Sequence, residues 1–225
     1  MTMFDAESIR LEEPAAKMTG GILDAHKNSP KIFYALVKRF GDFASCLLLA
    51  PFVVFFGLIL LVLNPFLNKG PLLYRQSRMG KDCEPFTAFK FRSMSTEKTV
   101  KRGAFDDLEE HRITKLGGII RKARIDELPQ IINIIKGDMS LIGPRPDFID
   151  HAREYISSIP GYRERHAIRP GVTGLAQVDV GYVSDEVGFR KKVEADLTYI
   201  RKMGFAVDLR IMFRTMQTVF GRCGR

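Results

Sequence analysis

The sequence predicts a small α/β (α+β) domain, mostly helical with a few short strands. An N-terminal helix-break-helix and interfacial amphipathic helices would hold it to a membrane. Three observations carry that prediction. Phe43 to Asn68 (FASCLLLAPFVVFFGLILLVLNPFLN) is free of charge for 26 residues. After it, two short runs alternate apolar and polar residues before helical periodicity takes over. The charge is uneven: the chain carries +9 overall, yet residues 1–26 hold five acidic and two basic residues, so the remainder carries +12.

Residues 1–30 lack helical or strand periodicity and read as a mobile tail. The apolar segment follows within a hairpin over 31–68. As one helix, Phe43 to Asn68 would run about 39 Å, more than the roughly 30 Å of a bilayer core, and length alone fits an ordinary span. It begins too late for a cleavable signal peptide. Pro51 removes a backbone donor, so a break is expected at Ala50-Pro51. Basic residues flank both ends, Lys27, Lys31, Lys38 and Arg39 before and Lys69, Arg75, Arg78 and Lys81 after. That symmetry gives a span no orientation and suits a hairpin entering and leaving one face. A domain over 69–225 follows. PLLYRQ and EPFTAFKFRSM alternate like strands, 94–112 reads as a polar loop, and helical periodicity returns at Ile113–Arg124 and Glu127–Lys136. GDMSLIGPRPDF is a Gly/Pro connector, followed by a helical piece around Ile149–Ser158. RPGVTGLAQVDV suggests a turn and a strand, and Glu186–Met203 a charged amphipathic helix. From Phe205 to Arg222, Leu209, Met212, Phe213, Met216 and Phe220 share one face, suited equally to core packing or membrane contact.

The 225-residue length suffices for one full core, and the mean hydropathy of −0.06 excludes both a polytopic membrane protein and a disordered chain. Three cysteines without a CxxC pair exclude a disulfide framework and a thiolate zinc site. Four histidines without HExxH disfavour a histidine metal centre. Phosphate-loop and dinucleotide fingerprints are absent, as are zinc-finger and RNP-like motifs, so the basic charge is not read as nucleic-acid binding.

Chemistry concentrates at Arg124-Ile125-Asp126-Glu127-Leu128-Pro129-Gln130. The plain reading is a helix start, with Pro129 in the first turn and Asp126 as N-cap. The surroundings suggest more. Arg121, Lys122 and Arg124 precede the two acids, and Arg145 follows in the rigid corner Gly143-Pro144-Arg145-Pro146. Cations around acids at a helix N-terminus make a phosphate site. An ionised carboxylate there could attack phosphorus, and its neighbour could share Mg²⁺ with phosphate oxygens. Lys90 and Arg92 leave one face of a strand and could bind pyrophosphate or simply face solvent. Arg169-Pro170-Gly171-Val172-Thr173-Gly174 is turn chemistry first and a binding loop second.

Taken in order, the motifs resemble the bacterial sugar transferase family, small monotopic phosphoglycosyl transferases of the exopolysaccharide-initiating type. The resemblance covers about residues 35–220. It runs through Lys38-Arg39-Phe40-Gly41-Asp42, Gln76-Ser77-Arg78-Met79-Gly80, Phe89-Lys90-Phe91-Arg92-Ser93-Met94, the Asp126 to Gln130 run with Asn133, Gly137 to Pro146, Arg169 to Gly174, and Ala176-Gln177-Val178. It implies an Asp126–Glu127 dyad working by ping-pong on a UDP-sugar, with UMP released and the sugar 1-phosphate passed to undecaprenyl phosphate. Asp126 would be the nucleophile, Glu127 would hold Mg²⁺, and Arg145 would clamp a phosphate. Lys90, Arg92, Arg169 and Gln177 would complete the substrate site. It further implies a re-entrant anchor kinked at Ala50-Pro51, where some members carry Ser-Pro. The domain would face the cytoplasm at a bacterial inner membrane rich in anionic lipids. A homodimer is as compatible with the helices as a monomer. The short form resembles members that use an unmodified hexose, although no residue separates glucose, galactose and N-acetylated hexoses. A membrane-bound glycosyltransferase releasing UDP and a non-catalytic membrane-anchored regulatory module are the alternatives; the intact dyad and corner argue against the second.

Overall fold

The computed structural model describes residues 31–95, 110–181, 183 and 185–221. The tail expected over 1–30 and most of the loop expected over 94–112 lie outside them. Helix α1, Lys31–Leu67, starts well ahead of the apolar segment and continues through both Pro51 and Pro65. The break expected at Ala50-Pro51 therefore does not interrupt the helix; Pro51 only leaves the Leu47 carbonyl without its donor one turn on. By length and composition α1 is long and apolar enough to cross a membrane, and only 11% of its most apolar 18-residue window is buried.

Lys38, Arg39 and Asp42 near its start explain the extension, because all three are used against the domain. Lys38 Nζ pairs with Asp208 at 2.8 Å, Arg39 donates to the Ile134 and Ile135 carbonyls, and Asp42 accepts from Ser140 Oγ and Leu141 N. Tyr34, Asp42, Cys46, Leu60 and Asn64 are buried at spacings of a single helix face.

Strands β1, Leu73–Met79, and β2, Pro85–Phe91, form an antiparallel hairpin in register from Leu73↔Phe91 to Met79↔Pro85. Helix α2, Lys115–Lys122, is capped by Thr114, whose hydroxyl accepts from Gly117 N at 2.9 Å. Gly117 has to be glycine, since a Cβ there would sit 1.8 Å from the Ser93 carbonyl oxygen.

A 3-10 turn, Ile125–Gln130, leads directly into α3, Ile131–Lys136. The sequence suggested one helix capped by Asp126. Instead the turn starts after Arg124, in the left-handed region at φ 59°, and no side chain caps it. Pro129 accounts for the tighter winding, because its ring would clash with the Ile125 carbonyl in a regular α-turn. Gly137, at φ 92°, closes α3.

The connector after α3 contains a strand that its Gly/Pro content concealed. β3, Ser140–Ile142, pairs in parallel with β4, Gly171–Thr173. The crossover between them contains α4, Ile149–Ser158, and a 3-10 turn at Glu164–Ala167. The strand expected through AQVDV is a helix, α5, Leu175–Asp179. Helices α6, Glu186–Lys202, and α7, Phe205–Gly221, complete the chain. Asp185 caps α6 through Gly188 N.

The architecture is mostly helical with short strands, as expected. One core gathers Met79, Tyr155, Tyr162, Phe189 and Val193 under α4 and α6; another gathers Cys46, Ile131, Ile134 and Met139 between α1 and α3. Leu60, Phe91 and Ile120 join α1 to the hairpin and α2. On α7 the packed residue is Ile211, whereas Leu209, Met212, Phe213 and Met216 point outward, with Leu209 70% exposed. Leu209, Met212, Phe213 and Met216 of the face singled out in the sequence therefore do not pack in the core.

Candidate active site

The 3-10 turn over Ile125–Gln130 sets Asp126 and Glu127 side by side, 7% and 8% exposed, against the edge of β2. Two different elements supply cations to Glu127. Lys90, from β2, places Nζ 2.8 Å from Oε1. Arg145, from the loop after β3, straddles the carboxylate, with Nη2 on Oε1 and Nη1 3.2 Å from Oε2. Arg124 adds a looser contact at 3.9 Å. Burial works against an ionised Glu127, but Arg145 and Lys90 outweigh it and hold the carboxyl well below the usual carboxylate range. In the same surroundings burial lowers Lys90 to about 8, with Glu127 resisting and Arg78 and Arg145 assisting.

Asp126 is different. Among the described residues no hydrogen bond or ion pair engages its carboxylate. Burial, then the neighbouring Glu127, pushes it up from its ordinary value, against the pull of Lys90, Arg121 and Arg124. The site therefore contains one carboxylate consumed by cations and, beside it, one whose lone pairs are uncommitted. Such an oxygen can act as a nucleophile toward a phosphorus brought up to the cations.

Of the residues singled out in the sequence, Asp126, Glu127, Lys90 and Arg145 converge. Arg92 does not join them: β2 ends at Phe91, the strand alternation stops there, and Arg92 Nε donates to the Pro71 carbonyl. Arg169 donates to the Gly137 carbonyl at the end of α3. Gln177, on α5, donates to the Val172 carbonyl, and its buried Oε1 has no hydrogen-bond partner among the described residues. Ala50 packs beside the α1–α3 core, whereas Pro51 is exposed on α1.

Sequence reasoning missed two arginines and undervalued an asparagine. Arg78 donates to the Pro146 carbonyl and to Gln76 Oε1, and it lies close enough to affect both Lys90 and Arg145. Arg165 donates to the Arg145 carbonyl. Asn133, fully buried, accepts from Phe89 N and donates to the Thr87 carbonyl, so its amide pairs with β2 as a neighbouring strand would. Alternation in β1 could have flagged Arg78; nothing local marks Arg165.

Among the described residues no group of three or more His, Cys, Asp or Glu forms a metal cage. Two adjacent carboxylates alone do not suit Zn²⁺, but they do suit Mg²⁺, which takes one or two protein carboxylates and draws its other ligands from water and phosphate.

Residues 33–222 match the bacterial sugar transferase family. The chain belongs to that family. Over 190 residues it is 39% identical to the UDP-N-acetylgalactosamine-undecaprenyl-phosphate N-acetylgalactosaminephosphotransferase of Aeromonas hydrophila, covering 84% of this chain and 45% of that one. It is 37% identical over 176 residues to the UDP-glucose:undecaprenyl-phosphate glucose-1-phosphate transferase of Klebsiella pneumoniae, covering 73% and 38%. The exopolysaccharide production protein PSS of Rhizobium leguminosarum bv. phaseoli is 37% identical over 183 residues, covering 79% and 90%. This bacterial sugar transferase thus spans under half the length of the first two relatives. The family match takes in the dyad, both of its cations and all of α1 from Phe33 onward.

Proposed function

We propose that this protein transfers a sugar 1-phosphate, a hexose 1-phosphate, from a UDP-sugar to undecaprenyl phosphate as the first membrane step of exopolysaccharide synthesis. The observation that carries the reading is the contrast within the dyad: Glu127 is tied to Lys90 and Arg145, and among the described residues nothing engages the Asp126 carboxylate. The relatives' names supply the substrate class.

In the first step an Asp126 carboxylate oxygen attacks the β-phosphorus of the UDP-sugar. The bond from that phosphorus to the bridging oxygen breaks, UMP leaves, and a phosphosugar-aspartate remains. In the second, a phosphate oxygen of undecaprenyl phosphate attacks the same phosphorus and Asp126 is released. Both steps are in-line displacements at one atom, which is why a single uncommitted carboxylate suffices. Arg145 and Lys90, held beside Glu127, offer their remaining donors to phosphate oxygens of the entering diphosphate, and Glu127 would hold Mg²⁺. That ion, when bound, offsets charge on the diphosphate and on departing UMP.

The anchor belongs to the same proposal. α1 touches the domain along its whole length, from Tyr34 on Asp208 through Cys46, Val53 and Leu60 in the cores to Asn68 on the Arg92 carbonyl. No stretch of about 20 residues, the length a span requires, is free of the domain. We therefore place α1 in one leaflet of the inner membrane, bent at Pro51, with the domain on the cytoplasmic side and its basic surface toward anionic lipids.

The deciding experiment measures nucleotide release from the detergent- or nanodisc-held protein with Mg²⁺, undecaprenyl phosphate and a panel of UDP-sugars. UMP formation that requires Asp126 is expected. UDP as product would indicate a glycosyltransferase, and no nucleotide with any donor would leave a binding module.

A further inference from the structure

We propose that Arg165 is a positioning residue that fixes Arg145 on Glu127. The reason begins with the corner Gly143-Pro144-Arg145-Pro146. Its two prolines have no N–H, so the corner cannot anchor itself by donating at those positions. Its carbonyls are held from outside instead. Pro144 O accepts from Gly171 N at 2.9 Å, Arg145 O from Arg165 Nη2 at 2.8 Å, Pro146 O from Arg78 Nη1, and Asp147 O from Met79 N at 3.1 Å. Four successive carbonyls are gripped by four donors from three parts of the chain, and the one on Arg145 itself is Arg165.

Arg165 is 1% exposed, and every other donor it uses is directed. Nε and Nη2 meet Asp196 at 2.9 and 2.7 Å, and Nη1 meets the Asp147 carboxylate. Asp147 also accepts from Tyr162 OH at 2.9 Å and Lys192 Nζ at 3.2 Å. The Tyr162 ring lies 5.1 Å from the guanidinium. Two acids and two bases thus balance inside the fold. Apolar residues of similar volume would serve stability as well or better. A planar fork with five donors can do what they cannot, which is to hold one carbonyl and two carboxylates at fixed angles. Because Arg165 grips the carbonyl of residue 145 and the side chain of residue 147, it brackets the backbone that presents Arg145 to Glu127.

The test reads the Arg145–Glu127 contact without any turnover, so it does not depend on the transferase reading. In the full chain in detergent, unfolding midpoints of Glu127→Gln, Arg145→Met and their double variant give the non-additivity of that pair. The cycle is repeated in the charge-balanced background Arg165→Met/Asp196→Leu, and again in Arg165→Lys, which keeps the charge and loses the fork. The non-additive shift is expected to fall by about half or more in either background, whichever folds. An undiminished shift in a folded background would overturn the assignment and leave Arg165 as a core group only. Turnover adds a second reading: kcat of the Arg165→Lys protein should fall about tenfold or more, and combining it with Arg145→Lys should add little further loss.

Discussion

Asp126 and Glu127 are neighbours in one turn, yet their environments give opposite predictions for stability. The folded pKa of Glu127 is depressed, so its contribution is present above the unfolded value near 4.5 and is lost as pH falls through the lower folded value. Glu127→Gln leaves Lys90 and Arg145 buried against a neutral amide and should cost about 3 kcal/mol at pH 7. The folded pKa of Asp126 is raised, so its ionisation weighs against the fold above its unfolded value. Asp126→Asn should therefore unfold no earlier than the wild type while abolishing turnover. Unfolding curves of the two variants at pH 7 check the pair, and an early-unfolding Asn variant would contradict it. Lys90 gives a third prediction at this scale. With its pKa brought down to about 8, kcat/KM should decline through that pH as the cation is lost. Lys90→Arg should move this limb upward, because a guanidinium stays charged. A limb that stays in place in the Arg variant would assign it to another group.

At the scale of elements, the dyad is positioned by the packing of the 3-10 turn on β2, and Asn133, on α3 directly after that turn, ties the two together. Its amide takes Phe89 N–H and Thr87 C=O, on either side of Ala88 and next to Lys90. Asn133→Ala strips two part-buried backbone groups of the partner that the fully buried amide supplies, each bond worth about 1 kcal/mol or more. Denaturant unfolding should show a loss of about 2–4 kcal/mol, with the slope unchanged. The strands β1 and β2 and the helices α6 and α7 were legible in the sequence because alternation and helical periodicity are local signals. β3 and β4 were not, since a three-residue parallel pair depends on a partner about 30 residues away and its flanking Gly and Pro read as turn. AQVDV misled for the same reason: its β-branched valines suggested a strand, whereas packing of Ala176 made a short helix. Within the site, the dyad, Lys90 and Arg145 were readable from charge at a turn and at a corner. Arg92, Arg169 and Gln177 entered the substrate site through the family resemblance, and in the fold each donates to a backbone carbonyl, of Pro71, Gly137 and Val172 respectively.

At the scale of the whole molecule, two apolar surfaces await a common solvent. One is the outward side of α1, with Phe33, Leu36, Phe40, Leu47, Val62 and Phe66 exposed; the other is the Leu209–Phe213–Met216 side of α7. The two helices meet through Phe33 and Tyr34 against the Phe205 ring and through Lys38 on Asp208. Exposed apolar area of this extent belongs in lipid or an interface. A spanning α1 would have to pull about 20 residues away from the domain and break the contacts of Cys46, Val53 or Leu60. A leaflet-embedded α1 breaks none and lets α7 enter the same interface. Single cysteines at Ile32 and Lys69, in a chain whose Cys46, Cys83 and Cys223 are replaced, separate the two arrangements. With a membrane-impermeant thiol reagent on inside-out and right-side-out vesicles, both positions should label from the side that exposes the domain. Labelling from opposite sides would make α1 a span. In that case the polar contacts of Lys38, Arg39 and Asp42 with the domain would have to break on insertion, since they would lie across the bilayer from Asn68.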